Sequence, residues 1–166
     1  MIPLPESGFE ARVKRVDAPT SEMWRMSRSP TTEPYFADKG DHRFDDPDGK
    51  TGAATFGVLY VGQDPETTFC ESIIHEASLF RNGAYEVAQS ELTGRELVAF
   101  RHPTKAELTF ADLTGDALKA LGLNNDISAG GDYDVTQQWA GAIHDKLTDV
   151  DGIRYVSRQR RMRAAR

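Results

Sequence analysis

Apolar and polar residues alternate along this chain in patterns that predict short strands and helices. Residues 23–26, 96–100 and 108–113 are short runs rich in apolar side chains, which is typical of strands. Residues 133–147 carry apolar side chains at every fourth position from Val135, and this spacing predicts an amphipathic helix. Two further strands are predicted at residues 10–16 and 153–157, and a short helix is predicted at residues 116–121. Because the two kinds of element do not alternate regularly, we expect an α+β fold with a mixed or mainly antiparallel sheet.

Residues 55–80 are the central stretch of this chain, with an apolar run, a turn and the start of a helix in succession. Residues 56–61 form an apolar run that predicts a buried strand, and a turn follows. Asp64 is suited to cap a helix and Pro65 to occupy its first position. This helix would carry Glu71 away from its apolar stripe, which is predicted to consist of Phe69, Ile73, Ala77 and Phe80. If strand and helix are neighbours, Tyr60 and Glu71 line one cleft.

Residues 27–52 are polar and rich in Pro, Gly and Asp, and they predict a long loop. Residues 45–49 are acidic, but they do not fit a calcium-binding loop because Phe44 falls where the first acidic ligand belongs. We expect three segments in the chain: an irregular arm at residues 1–8, one domain at 9–158 and a basic tail at 159–166.

Composition and charge narrow the class of protein. The 166 residues, 39% hydrophobic and 28% charged, suit one globular domain, and no apolar run reaches the ~20 residues of a membrane-spanning helix. The net charge of -6 argues against a general nucleic-acid binder, although the tail after Ser157 holds five arginines. A single cysteine, Cys70, and a start without a secretory pattern lead us to expect a cytoplasmic protein.

The residues that could carry chemistry are arginines and one carboxylate. Arg25 interrupts an apolar strand and Arg43 lies in the long loop, and a half-buried arginine needs a paired anion such as a phosphate or a carboxylate. Ser157 ends the last predicted strand without a GxSxG motif, and His75 lacks the second histidine of HExxH. Each residue also has a structural explanation: an ion pair for Arg25, a core hydroxyl for Tyr60, a strand end for Ser157.

Four segments together resemble the RES domain. They are Trp24-Arg25, Arg43-Phe44, residues 57–72 (GVLYVGQDPETTFCES) and residues 153–158 (IRYVSR). The segments stand in the family's order and extend over nearly the whole chain.

The resemblance implies a toxin of a bacterial toxin–antitoxin pair, with a fold similar to ADP-ribosyltransferase toxins. It implies an Xre-type helix-turn-helix antitoxin as partner, and contact with DNA only through that antitoxin. From the residues themselves we expect neither a membrane contact nor a metal. The substrate would be NAD, cleaved at the nicotinamide–ribose bond by water or inorganic phosphate. The family's site residues correspond here to Arg25, Arg43, Tyr60, Glu71 and Ser157. Glu71, Arg25 and Ser157 would be catalytic, and Arg25, Arg43, Tyr60 and Ser157 would bind NAD.

Two other functions remain open at this point. The same residues would serve a mono-ADP-ribosyltransferase that modifies a host protein, since only the acceptor differs. A non-enzymatic module that binds a nucleotide or a partner protein would also need them.

Overall fold

The computed structural model describes residues 2–28, 30–74, 78–131 and 133–157, and they divide into two compact units. Unit 1 contains residues 1–18, 35–59 and 107–156, and unit 2 contains residues 19–34, 60–106 and Ser157 onward. Helices occur together with parallel and antiparallel strand pairs, so the expected α+β class with mixed and antiparallel sheets is confirmed.

The described residues form seven strands and five α-helices. The strands are β1 (Arg15–Pro19), β2 (Met23–Ser27), β3 (Ser78–Arg81), β4 (Ala84–Val87), β5 (Glu96–Phe100), β6 (Glu107–Leu113) and β7 (Gly152–Tyr155). The helices are α1 (Pro65–Phe69), α2 (Gln89–Thr93), α3 (Gly115–Ala120), α4 (Asp126–Ala129) and α5 (Tyr133–Lys146). The strands pair as β1-β6-β7, β2-β5 and β3-β4.

In unit 1 the long helix α5 covers the main hydrophobic core. Trp139, Ile143 and Leu147 are buried along one side, as the four-residue spacing predicts. The Trp139 ring meets the Phe9 ring edge-on at 5.3 Å, and its indole N–H donates to the Pro3 carbonyl at 2.8 Å. The first residues of the chain are therefore attached to this core. The strands β6 and β7 run parallel.

In unit 2 the strand that carries Arg25 is well defined. β2 pairs with β5 in antiparallel register, with Arg25 opposite Val98. Both strands were predicted within one residue of their observed bounds. β3 and β4 form a separate hairpin whose turn contains Asn82 and Gly83, both with positive φ.

Two predicted strands are wrong. Residues 10–16 were expected to be a strand, but a 3-10 turn occupies Phe9–Ala11 and β1 begins only at Arg15. Phe9 and Val13 are buried while Ala11 between them is exposed, whereas a strand would place all three side chains on one face. Residues 56–61 form no strand either: Val58 makes an isolated bridge with Ala37, and Gly62 makes another with Trp24.

The predicted helix that starts at Asp64 is shorter than expected. α1 ends at Phe69, a π-helical turn follows at Cys70–Ile74, and by Ser78 the chain is a strand. Ile73 is buried as predicted, but Phe80 is 61% exposed and pairs with Tyr85 across the hairpin instead of joining a helical stripe. Ala77 lies outside the described residues. The predicted tail at 159–166 does so too.

The described helices are too short or too polar to span a bilayer.

Candidate functional site

In unit 2, backbone hydrogen bonds fix the strand bearing Arg25 against the start of α1. Trp24 N donates to the Gly62 carbonyl at 2.9 Å, and Gly62 N returns a bond to the Trp24 carbonyl at 2.7 Å. The same Trp24 carbonyl accepts from the hydroxyl of Thr68 in α1 at 3.2 Å. Arg25 and the helix that leads to Glu71 are thus held together through Trp24, the residue beside Arg25.

The start of α1 is capped as the sequence predicts. Asp64 accepts from Thr67 N at 2.6 Å and from the Thr67 hydroxyl at 3.0 Å, and Pro65 occupies the first turn. Gly62 allows this close approach because a Cβ at that position would lie 2.4 Å from the Thr68 hydroxyl oxygen. The position of the helix start is therefore set by Gly62 and Asp64 together.

Glu71 lies in the π-helical turn that continues α1. Its Oε1 atom accepts a hydrogen bond from the hydroxyl of Ser157, which follows β7 and is 86 residues away in sequence. Both residues are half-buried. Single π-helical turns inside helices are frequent at functional sites. The structure thus brings together two of the residues selected from the sequence, a carboxylate and a hydroxyl.

Arg25 makes an ion pair, which is the structural explanation that the sequence left open for this residue. Its Nε atom lies 3.0 Å from Oε1 of Glu33, and its NH1 atom donates to the Tyr60 carbonyl at 3.3 Å. The Glu33 side chain is only 5% exposed, while that of Arg25 is 24% exposed. Arg25 therefore contacts Tyr60 through the backbone and remains accessible to solvent.

The family model of the RES domain matches residues 12–165. The chain belongs to the RES domain family. Comparison with curated proteins and with solved structures gives no match. Membership of the RES domain family indicates an enzymatic activity related to NAD in general terms.

In this RES domain Arg43 belongs to unit 1. Its NH1 atom donates to the carbonyls of Gly130 at 2.8 Å and Ile127 at 3.3 Å, next to the end of α4. Its guanidinium also lies 4.9 Å from the centroid of the Tyr133 ring, where a cation–π interaction is favourable. Arg43 thereby joins α4 to the start of α5. Its role in binding NAD stays a prediction.

Two residues of the site were not found from the sequence. Glu33 lies in the predicted loop among polar residues, and nothing in its surroundings marks it as the partner of Arg25. Arg95 donates from NH1 to the Ser72 carbonyl at 3.1 Å, directly after Glu71 in the chain. The only signal for Arg95 is its place beside the apolar run of β5. No periodicity connects it with a turn more than twenty residues earlier.

Among the described residues, no group of three or more His, Cys, Asp or Glu side chains is arranged to hold a metal ion.

Proposed function

We propose that this RES domain protein cleaves the nicotinamide–ribose bond of NAD and is the toxin of a toxin–antitoxin pair. The observation that carries the proposal is the hydrogen bond between Glu71 and Ser157, which fixes a half-buried carboxylate in a π-helical turn. Its family, in which NAD-related activity is expected, supports the choice of substrate.

The chemistry of the bond suits a single fixed carboxylate. Loss of nicotinamide leaves positive charge on the ribose ring, as in glycoside cleavage, and a carboxylate beside the ring stabilises that charge. Ser157 donates to one oxygen of Glu71, so it orients the carboxylate and leaves the second oxygen to face the sugar. Nicotinamide departs as a neutral molecule, so the reaction needs no second acid.

Arg25 and Tyr60 are the proposed NAD-binding residues of unit 2. A planar guanidinium matches the oxygens of a diphosphate, and Arg25 is accessible while Glu33 holds its orientation. Arg25 also holds the backbone of Tyr60, whose ring we propose to stack on the nicotinamide. The proposed acceptor is water or inorganic phosphate, and the proposed protein partner is an Xre-type antitoxin.

Release of nicotinamide from NAD by the purified protein, with and without phosphate, tests the activity. Glu71→Gln keeps the shape of the side chain and removes its charge, so we expect kcat/KM to fall by about 100-fold or more. The matched control is Glu66→Gln, an exposed carboxylate in the first turn of the same helix, which we expect to retain the wild-type rate.

Two results would contradict the proposal. Folded wild-type protein that releases no nicotinamide in either buffer is not an enzyme of this kind. A Glu71→Gln variant with wild-type kcat/KM would remove the carboxylate from the mechanism. NAD labelled in its ADP-ribose part separates the acceptors, because label that moves onto protein indicates ADP-ribosyl transfer.

A further inference from the structure

A second set of charged residues connects the elements that carry Arg25 and Glu71. Arg28 follows β2 directly, Glu91 lies in α2, and Arg95 directly precedes β5. A single oxygen of Glu91, Oε2, accepts from Arg28 NH2 at 2.5 Å and from Arg95 NH2 at 3.0 Å. We refer to these three residues as the Arg28–Glu91–Arg95 network.

The other end of Arg95 reaches the π-helical turn. Its NH1 atom donates to the Ser72 carbonyl at 3.1 Å, and Ser72 is the residue after Glu71. An arginine that donates to a backbone carbonyl fixes the backbone at that point, so this bond attaches the turn bearing Glu71 to the residue before β5. The Arg95 side chain is 7% exposed and that of Arg28 is 57% exposed, so the network extends from the interior to the surface.

We infer that Arg95 is a positioning residue which, through the Arg28–Glu91–Arg95 network, holds the turn bearing Glu71 in register with the strand bearing Arg25. The inference rests on the proposed function, because it assigns the network a part in NAD cleavage. Arg95 bonds the backbone beside Glu71, and it acts on the reaction only through the position of that carboxylate.

The chemistry of the three side chains suits this role. Arginine donates in a rigid planar fork, so one side chain can bind Ser72 and Glu91 at fixed angles. Hydrogen bonds from Arg95, then from Arg28, hold the pKa of the Glu91 carboxyl below its usual range, so Glu91 is ionised at neutral pH. Charge-assisted bonds of this kind are shorter and stronger than neutral ones.

Two variants weaken the network in different places. Arg95→Lys keeps the positive charge but replaces the planar guanidinium with a single amine. That amine cannot reproduce the separate bonds to Ser72 and Glu91 at their present positions. Glu91→Gln keeps the shape of the side chain and removes its charge from both ion pairs. Because the Glu91 side chain is partly exposed, we expect the fold to tolerate the change. The matched control is Asp149→Asn, because Asp149 accepts from Arg15 at 3.0 and 3.2 Å in unit 1.

The experiment combines amide hydrogen exchange of residues 70–74 with steady-state kinetics of nicotinamide release. In both variants we expect exchange in this turn to rise about tenfold, since local opening governs it. We expect kcat to fall about tenfold while KM changes less than about twofold, because a displaced catalytic group impairs the chemical step. Arg95→Lys should have the larger effect, and Asp149→Asn should change neither quantity.

The outcomes separate this inference from the proposed function. Unchanged exchange in both variants overturns the inference, as does raised exchange with wild-type kcat in an active enzyme. Raised exchange in Asp149→Asn as well overturns it, because the effect would then be global. If the wild-type protein releases no nicotinamide, the proposed function fails. Raised exchange confined to the two network variants would then still show that the network stabilises the turn at residues 70–74.

Discussion

At the scale of single residues, the buried ion pair of Arg25 determines how its variants must be designed. Glu33 is almost fully buried and faces Arg25 at 3.0 Å. Removal of the arginine would leave a buried carboxylate without this partner, and such a loss costs stability independently of catalysis. A loss of activity in Arg25→Ala would therefore not by itself assign Arg25 to NAD.

A second substitution, at Glu33, separates the two effects. We expect Arg25→Ala to lower the free energy of unfolding by about 2 kcal/mol, less than a fully buried pair would lose, because Arg25 is partly exposed. In Arg25→Ala/Glu33→Gln we expect about 1 kcal/mol of that loss to return, since the buried charge is gone. Urea denaturation measures both values.

Activity of the same set of variants then assigns the role. If Arg25 binds NAD, the double variant recovers stability but not nicotinamide release. Recovery of both would show that Arg25 acts only through the fold. Equal stability of Arg25→Ala and the double variant would contradict the importance of the pair.

At the scale of elements, the start of α1 depends on the absence of a side chain at Gly62. A Cβ there would lie 2.4 Å from the Thr68 hydroxyl oxygen, closer than real Cβ atoms approach, and a tight 3.0 Å from Thr68 N. Thr68 cannot move freely, because its hydroxyl bonds the carbonyls of Trp24 and Asp64. The helix start or the bridge to β2 must therefore shift.

We expect Gly62→Ala to lower the free energy of unfolding by about 1 to 3 kcal/mol, the usual cost of overpacking. The variant should also lose nicotinamide release, since α1 leads directly to Glu71. The control is Gly131→Ala, where a Cβ meets no atom within 4 Å. Urea denaturation of the two variants side by side provides the test, and equal stability would show that Gly62 is not needed for the close approach.

Elements whose pattern reflects one buried side were predictable from the sequence. The helix α5 buries a regular set of side chains, so spacing alone located it. The strands β2 and β5 are mostly half-buried or exposed, and their short apolar runs located them. The apolar run at residues 56–61 was wrongly predicted to be a strand, because apolar side chains alone do not provide a neighbouring strand for backbone pairing. Only Val58 and Gly62 find single bridges near this run.

The site was predictable where a residue had a local signature and not where it depended on distant contacts. The Asp64 cap follows from adjacent residues, and the structure confirms it. The end of α1 at Phe69 does not follow, because the helical pattern continues toward Phe80 while the chain forms a hairpin. Glu33 and Arg95 act through partners far along the chain, which no short pattern records.

At the scale of the whole molecule, each unit is assembled from three separate stretches of chain. The described residues of unit 1 include the segment with Asp45 and Asp46, which composition alone predicted to be a polar loop. Both aspartates are buried, and their carboxylates accept hydrogen bonds from nearby backbone N–H groups. The hydrogen bonds to Asp46 favour its ionised form, so the contribution of this residue to stability depends on pH.

Asp46 makes that dependence testable. Burial raises the pKa of its carboxyl, but hydrogen bonds from Asp48, Thr55 and Phe56 outweigh burial and hold the pKa below its usual value. Because the pKa is lowered in the folded state, ionised Asp46 stabilises the protein fully above the unfolded-state pKa of about 3.9. This stabilisation is lost as the pH falls through the folded-state pKa. The stability difference between wild type and Asp46→Asn should therefore be constant above about pH 5 and shrink steadily below about pH 4. Urea denaturation across this pH range measures it, and a difference independent of pH would show that Asp46 stabilises the loop by shape, not by charge.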